Sequence, residues 1–397
     1  MRVLYVSPYP PARDGIGTYT HVLAGAVRAR GHEIAVVAAH PHGDAPAEVI
    51  GAFGVLGGSR GLRDAVAGFA PDVVHVQFAV PAFGARTIAV ARWLEQARAA
   101  APGVPVVATL HEAGRDLALL RRPGRILYER ITACCDHVVV HTQGALGTLT
   151  GQVGVAGTRA EVIPHFSAEP PPATSTAGEQ RARFGLGDGR ILLAFGFIHV
   201  SKGLDDLVRA MAVLRRADPA VLRDVHLVVA GTVRRRQGPF RIFELRDRLH
   251  LARVRYLARR NGLRPVFTGF VPEGDIAAWF AAAEAVVLPY RSAEQSGVAN
   301  LARAFGVPVI ASTAGGLAEL FADSRWTVPP RSPDRLATAI ADLLSQDYPV
   351  SSQDSREPQS PVGVHGRAAD LDSVATETIT MYGAVRARTQ GKDPDAA

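Results

Sequence analysis

The sequence predicts an α/β fold of two doubly wound, Rossmann-like domains facing across a cleft. Short apolar runs such as Arg2–Val6, Pro105–Leu110, Arg190–Phe195 and Ala285–Leu288 read as strands buried on both faces. Helical stretches separate them, so both halves follow the same β-α alternation. Between the halves, Ser167–Gly189 holds Pro170-Pro171-Pro172 and then Ala, Thr, Ser and Gly, the composition of an interdomain linker. A chain of 397 residues, 47% hydrophobic and 20% charged, is long enough for two such domains.

The first half opens with the strand Arg2–Val6 and the loop Ser7–Gly17. A helix from about Thr18 to Arg30 follows, closed by Gly31, and then the strand Ile34–Ala38. Ligands of doubly wound sheets sit at the carboxyl end of such a first strand, and Gly15 and Gly17 let backbone come close to one. The spacing is not the dinucleotide fingerprint. Next come the strand Asp72–Gln77, the helix Arg86–Ala101 and the strand Pro105–Leu110, which puts His111 at a carboxyl strand end. A lone histidine is more often structural than catalytic. Leu117–Arg130 is amphipathic, with Arg121, Arg122, Arg125 and Arg130 among Leu119, Leu120, Ile126 and Leu127. It reads as a surface helix with its apolar stripe in the core, with a membrane-surface segment as the alternative. His137–Val140 and Glu161–Ile163 complete the strands, and Pro164-His165-Phe166 leads out.

The second half begins with the strand Arg190–Phe195, the loop Gly196–Gly203 and a helix Leu204–Arg216. Lys202 followed by Gly203 at a helix N-terminus is a phosphate-binding arrangement, backbone N–H groups plus one point charge, or else a glycine-capped surface lysine. After the strand His226–Ala230, the segment from Arg234 to Arg264 is dominated by arginine. Most such runs are solvated helix faces, the alternative being contact with an anionic acceptor or membrane. Val266–Pro272 and a helix Asp275–Ala283 lead to the strand Ala285–Leu288, the loop Ser292–Gly297, the helix Val298–Phe305 and the strand Val307–Ala311. Ser296 and Gly297 at that helix N-terminus form an anion site or an ordinary N-cap. The strand Trp326–Val328, the helix Pro333–Leu344, a mobile loop Ser345–Val364 and a last helix from about Arg367 to Arg388 follow. A disordered tail, Thr389–Ala397, is expected.

No apolar run reaches membrane-spanning length, and the N-terminus reads as a strand and not as a signal peptide. Cys134 and Cys135 are adjacent, hence poor disulfide partners, which points to a reduced cytoplasmic setting. The formal charge of +7 suits phosphate-bearing substrates or an anionic membrane surface at its inner face. No nucleic-acid motif accompanies it. No carboxylate or histidine cluster has metal spacing, so neither metal nor cofactor is expected.

The strand ending Leu288-Pro289-Tyr290, the Gln295-Ser296-Gly297 loop, the turn Ala304–Ala311 and Gly315-Gly316-Leu317-Ala318-Glu319 resemble the retaining glycosyltransferases of family 4, which have the two-domain GT-B fold. Thr109-Leu110-His111-Glu112 and Lys202-Gly203 are similar to two further family elements. The resemblance implies an acceptor-side domain over 1–166, a linker over 167–189, a nucleotide-sugar domain over 190–366 and a final helix 367–388 crossing back, before the tail 389–397. It implies transfer of a hexose from a nucleoside-diphosphate sugar to an acceptor hydroxyl with retention. His111 and Lys202 would be catalytic. Gly15, Gly17, His199, Gly203, Glu294, Gln295, Ser296, Gly297, Val298 and Glu319 would bind the donor, and Glu112 would orient His111 or bind acceptor. The family arginine five before the lysine is Phe197 here, with His199 as a partial stand-in. The family's acidic pair falls on Ala293 and Leu301, as in the branch with a Gln-Ser-Gly loop, so the ribose contact is unassigned. The alternatives are a non-catalytic sugar-nucleotide sensor or assembly partner and a sugar-nucleotide epimerase of the same fold.

Overall fold

In the computed structural model the chain divides into two compact units, Met1–Phe166 with Ala369–Ala397, and Ser167–Ala368. The structure describes residues 1–12, 14–39, 43–53, 58–166, 172–234, 241–293, 296–322, 324–345 and 370–391.

Among the described residues, the first unit holds one seven-stranded sheet. Its strands are β1 (Arg2–Ser7), β2 (Glu33–Ala38), β3 (Val49–Ala52), β4 (Val73–Phe78), β5 (Val106–Leu110), β6 (His137–Val140) and β7 (Ala160–Val162). The order is β3-β2-β1-β4-β5-β6-β7, so the winding reverses between β1 and β4. All pairings are parallel; Val3 stands opposite Ile34 on one side and Val73 on the other. β4, β5 and β6 are buried along their whole length, which is why apolar residues dominate them, with His75, Gln77, Thr109 and His137 as buried polar exceptions. One sheet face packs Leu4, Val6, Trp93 and Tyr128. The other packs Val3, Tyr5 and Leu23 against Val374, Tyr382 and Val385 of the last helix, Leu371–Thr389. That helix runs into the stretch expected to be disordered. The rest of the tail, from residue 392, lies outside the described residues, as does the expected mobile loop from residue 346 on.

The second unit holds β8 (Arg190–Phe195), β9 (Val225–Ala230), β10 (Val266–Phe267), β11 (Ala285–Leu288), β12 (Val309–Ser312) and β13 (Thr327–Val328). They pair in parallel in the order β10-β9-β8-β11-β12-β13, with the reversal between β8 and β11. A ligand crevice opens outside the carboxyl ends of the strands flanking such a reversal.

The structure corrects several boundaries. The first helix begins at Gly15 and not at Thr18, because Asp14 caps it, accepting from the Ile16 and Gly17 amides. The expected linker contains a helix, Ala177–Phe184, opened by a reciprocal Thr176/Glu179 capping box. Arg181 bonds the Ala282 carbonyl, so this helix is part of the second unit. β3 and a helix Arg60–Phe69 fill a stretch left unread. The amphipathic segment lies in a helix Ala113–Ala133 broken at Arg121, two residues before Pro123, whose ring cannot follow a helical turn. Leu117, Tyr128 and Ile131 face its core, while Leu119 and Ile126 are exposed. Cys134 and Cys135 are both free and buried. Among the described residues, no helix is long and apolar enough to cross a membrane.

Candidate functional site

In the second unit, the loops leaving β8 and β11 meet at the reversal point. Gly203 ends the first loop at φ 64, and a Cβ there would overlap the Pro289 carbonyl oxygen, so glycine allows the two loops to touch. Gly196, at the other end of the same loop, would bring a Cβ to 3.3 Å from Val298 Cγ2 in the first turn of the helix Gly297–Ala304. Lys202, Gly203, Tyr290 and this helix start are thereby gathered at one place.

Arg291 locks the arrangement. Its amide donates to the Ser201 carbonyl at 2.7 Å. Its Nη2 donates to both Asp205 oxygens at 2.8 and 2.9 Å, and its Nε to Asp206 at 2.8 Å. Arg209 closes the square, 2.7 Å from Asp206 and 3.0 Å from Asp205. Burial alone would raise the Asp205 carboxyl; the hydrogen bonds and charge of Arg291 override it and hold it below the usual carboxylate range. Two carboxylates thus balance two guanidinium groups, and Lys202 is left over. Its Nζ rests 3.7 Å from the Tyr290 ring centroid, and among the described residues no carboxylate pairs with it. The Tyr290 hydroxyl beneath is buried without a hydrogen-bond partner.

Ser296 is an N-cap: its Oγ accepts from the Ala299 amide at 3.2 Å. The Gly297 and Val298 amides, next in the helix, have no partner among the described residues, as expected of a helix N-terminus. A Cβ at Gly297 would meet nothing within 4 Å. Glu294 and Gln295 lie outside the described residues. Ala293 and Leu301 pack in the apolar layer, and the Ala293 carbonyl accepts from Gly316, which ties the loop to the helix Gly316–Leu320 carrying exposed Glu319. His199 has a local structural bond. Its Nδ1 accepts from the Ser201 amide at 3.1 Å, so it caps the turn Val200–Lys202. Nor does Phe197 leave its place empty: the Arg234 guanidinium lies over its ring at 5.7 Å.

In the first unit the candidates are arranged differently. Gly15 is exposed, while Gly17 lies inside the helix, where a Cβ would press on the Pro8 carbonyl at 3.2 Å. The close approach it permits is between helix and loop. His111 is 6% exposed, and both its nitrogens are engaged. Nδ1 meets His141 Nε2 at 3.1 Å, and Nε2 meets the Gln77 side-chain amide at 2.7 Å. His141 Nδ1 in turn donates to the Ile163 carbonyl at 2.9 Å. The Gln77 atom facing His111 Nε2 is its amide oxygen, which only accepts, so Nε2 donates there, while the Gln77 amide nitrogen lies 3.2 Å from His75 Nε2. His75 continues the network to Thr109 and to Tyr382 of the last helix. Tyr19 packs edge-on against His111 and His141 and also touches His165. Burial, then the neighbouring rings, pushes His111 well below the usual imidazole range. His75 and His141 are pushed down to about 3. Both ring nitrogens of His111 are thus engaged by side chains of its own unit. Glu112 pairs with Arg115 at 2.5 Å and not with His111.

Gln77, His141, Tyr290 and Arg291 are not among the residues that the sequence marks for function. Only the acidic pair Asp205-Asp206, opening a helix and in need of a cation, signalled one of them. Among the described residues, no three His, Cys, Asp or Glu gather to hold a metal.

The model of "Glycosyltransferase Family 4" matches residues 13–166, and that of "Glycosyl transferases group 1" matches residues 189–346. A D-inositol 3-phosphate glycosyltransferase of Frankia alni is 32% identical over 324 residues, 77% of this chain and 72% of that protein. The chain belongs to glycosyltransferase family 4. This family 4 enzyme has the GT-B fold. The sucrose-phosphate synthase of Thermosynechococcus elongatus superposes with a TM-score of 0.68 at 20% identity, over 98% of each chain. Anabaena HepE in complex with UDP-glucose does so at 0.65 and 17%, again over 98% of each. The activity is glycosyl transfer; none of these three proteins is named as an epimerase or a sensor.

Proposed function

We propose that this glycosyltransferase moves a hexose from a nucleoside-diphosphate sugar to an acceptor hydroxyl, with retained anomeric configuration and without a metal ion. One observation carries the reading. The Lys202 ammonium, seated on Tyr290 and free of any carboxylate among the described residues, belongs to the loop whose Gly196 abuts Val298 at the open helix N-terminus. As the anomeric C–O bond breaks, its electron pair moves onto the leaving diphosphate. Lys202 and the two amides stabilise that charge from positions fixed in advance by the Arg291 square. The acceptor oxygen bonds the anomeric carbon, and its proton leaves with the diphosphate or to water. In the first unit Gly15, Gly17 and His111 would be the donor contacts, and in the second Glu319 would bind sugar hydroxyls. The UDP-glucose in the HepE complex supports this donor class, and the inositol phosphate named for the Frankia protein supports a hydroxyl acceptor. The free thiols of Cys134 and Cys135 support a reducing, cytoplasmic setting.

The test is incubation with a panel of nucleotide sugars and acceptors in excess chelator, reading nucleotide release and the anomeric coupling constant of the product. Inverted product, or activity that returns only with magnesium or manganese, would sink the corresponding half of the proposal.

A further inference from the structure

The helix Arg241–Arg260 has two apolar faces, and the core explains one of them. Asp247, His250, Val254 and Ala258 are buried. At about 100° per residue they span an arc of about 80°. Ile242, Leu245, Leu249 and Tyr256 are 68, 57, 62 and 59% exposed. They form a second stripe centred about 150° from the first. Of the ten large hydrophobic residues exposed among the described residues, four are on this one helix, so the exposure is concentrated. All seven of its arginines are exposed as well. Arg246, Arg253 and Arg260 flank one edge of the stripe, and Arg241, Arg248, Arg255 and Arg259 the other. Against them stand Glu244, paired with Arg248 at 2.6 Å, and Asp247, which is turned inward.

We propose that this face docks the enzyme on an anionic lipid surface, with the helix lying in the plane of the headgroups. Leucines, isoleucine and tyrosine between two rows of arginine fit a boundary that is apolar in the middle and negative around it. A nucleic acid would leave the aliphatic stripe unused. A second copy packed on the same face would oppose arginine with arginine. The inward side of the helix reaches the donor loop: Asp247 Oδ1 accepts from the Val200 amide at 3.2 Å and lies 3.7 Å from His199 Nε2. The two faces of one helix thus carry the membrane contact and a support for the Lys202 turn. The docking itself is independent of the reaction proposed above and is read without substrate.

The experiment is sedimentation of the full chain with vesicles of phosphatidylcholine alone or mixed with phosphatidylglycerol. Binding is expected to the mixed vesicles only. It should weaken about fivefold for each arginine changed to glutamine among Arg246, Arg253 and Arg255. It should drop at least tenfold in Leu245→Ser/Leu249→Ser, whose exposed sites leave the circular dichroism and melting profile unchanged. Equal binding to neutral vesicles, or a double variant that binds like the parent, overturns the proposal. So does a parent that is dimeric by light scattering and a double variant that is monomeric with no vesicle binding in either, which assigns the stripe to a second copy.

Discussion

The two units share one topology and differ in how they fill the strand ends beside the reversal point. In the first unit the polar groups are neutral and satisfied by one another, through His75, Gln77, His111 and His141. The helix start there already holds an anion, the Asp14 carboxylate on the Ile16 and Gly17 amides. In the second unit the groups are charged, and the helix start is capped by an uncharged serine. The same α/β strand ends can therefore be lined by neutral, mutually bonded groups or by charged ones. The choice is made by the cap residue and by whether one cation is left unpaired.

Removing the lock should have the largest effect. Arg291→Ala leaves Asp205 and Asp206, each 5% exposed, with Arg209 alone. The cost should be about 3–5 kcal/mol, nearer the lower figure because Arg209 remains. In the first unit, Gln77→Leu keeps the shape and strands a neutral nitrogen of His111, which should cost about 1–3 kcal/mol. Urea denaturation of both variants makes the comparison. A first-unit loss larger than the second-unit loss would show that charge is not what distinguishes them.

Next comes the cation itself. Among the described residues Lys202→Ala breaks no ion pair, so stability should hold while turnover falls. The loss of one charge-assisted contact to the leaving group is about 2–4 kcal/mol, roughly 30- to 1,000-fold in kcat. Gly297→Val has room in the free protein and should fold, yet its side chain would stand where the phosphates belong. Calorimetric titration with a nucleoside diphosphate reads both variants. A folded Gly297→Val that binds like the parent would reduce this helix start to a plain cap.

Acid should separate the units by a smaller slope. The buried histidines have folded pKa values below the ordinary 6.5, at about 3 for His75 and His141. Their contribution is complete above 6.5 and is lost as pH falls toward about 3, by up to about 1.4 kcal/mol per pH unit for each ring. Asp116 works against them. Burial raises it from 3.8 to about 6, so its contribution is full below 3.8 and is lost as pH rises through about 6. The Val80 amide, Glu112, Tyr128 and Arg115 face Asp116 and set the rest of its balance. Asp205, held low in the second unit, keeps its contribution until pH falls below 3.8. Tryptophan fluorescence can follow each unit, with Trp93 alone in the first and Trp279 and Trp326 in the second. The first unit should loosen at the higher pH.

The sequence made the strands legible for a physical reason. A parallel strand buried on both faces is a continuous apolar run, as in Ala285–Leu288. Helix starts marked by local spacing, such as Gly203 before Leu204 and Ser296 before Gly297, could be read too. The histidine network could not, because His75, His111 and His141 stand on or just beyond three successive strands and meet only once β4, β5 and β6 pair. Arg291 bonds carboxylates 85 and 86 residues away, which no local pattern reveals. The helix Ala177–Phe184 was legible and was outweighed: its capping box stood in a segment whose prolines and small residues argued for a linker.

The smallest effect is also the sharpest probe of the cap. Ser296 Oγ accepts from the Ala299 amide, and its own O–H stays available to donate to a phosphate. Ser296→Ala should therefore weaken nucleoside-diphosphate binding by about 1 kcal/mol, since the Gly297 and Val298 amides remain. It should also lower stability by about 1 kcal/mol through the lost cap. Ser296→Asp separates the two roles. It restores the cap and gives the second unit the kind of helix start that Asp14 gives the first. Stability should return to the parent value, while binding should fall below that of the alanine variant, because a carboxylate now occupies the amides and repels the phosphates. If Ser296→Asp binds a nucleoside diphosphate as well as the parent, the contrast between a filled and an open helix start is not what assigns the anion to the second unit.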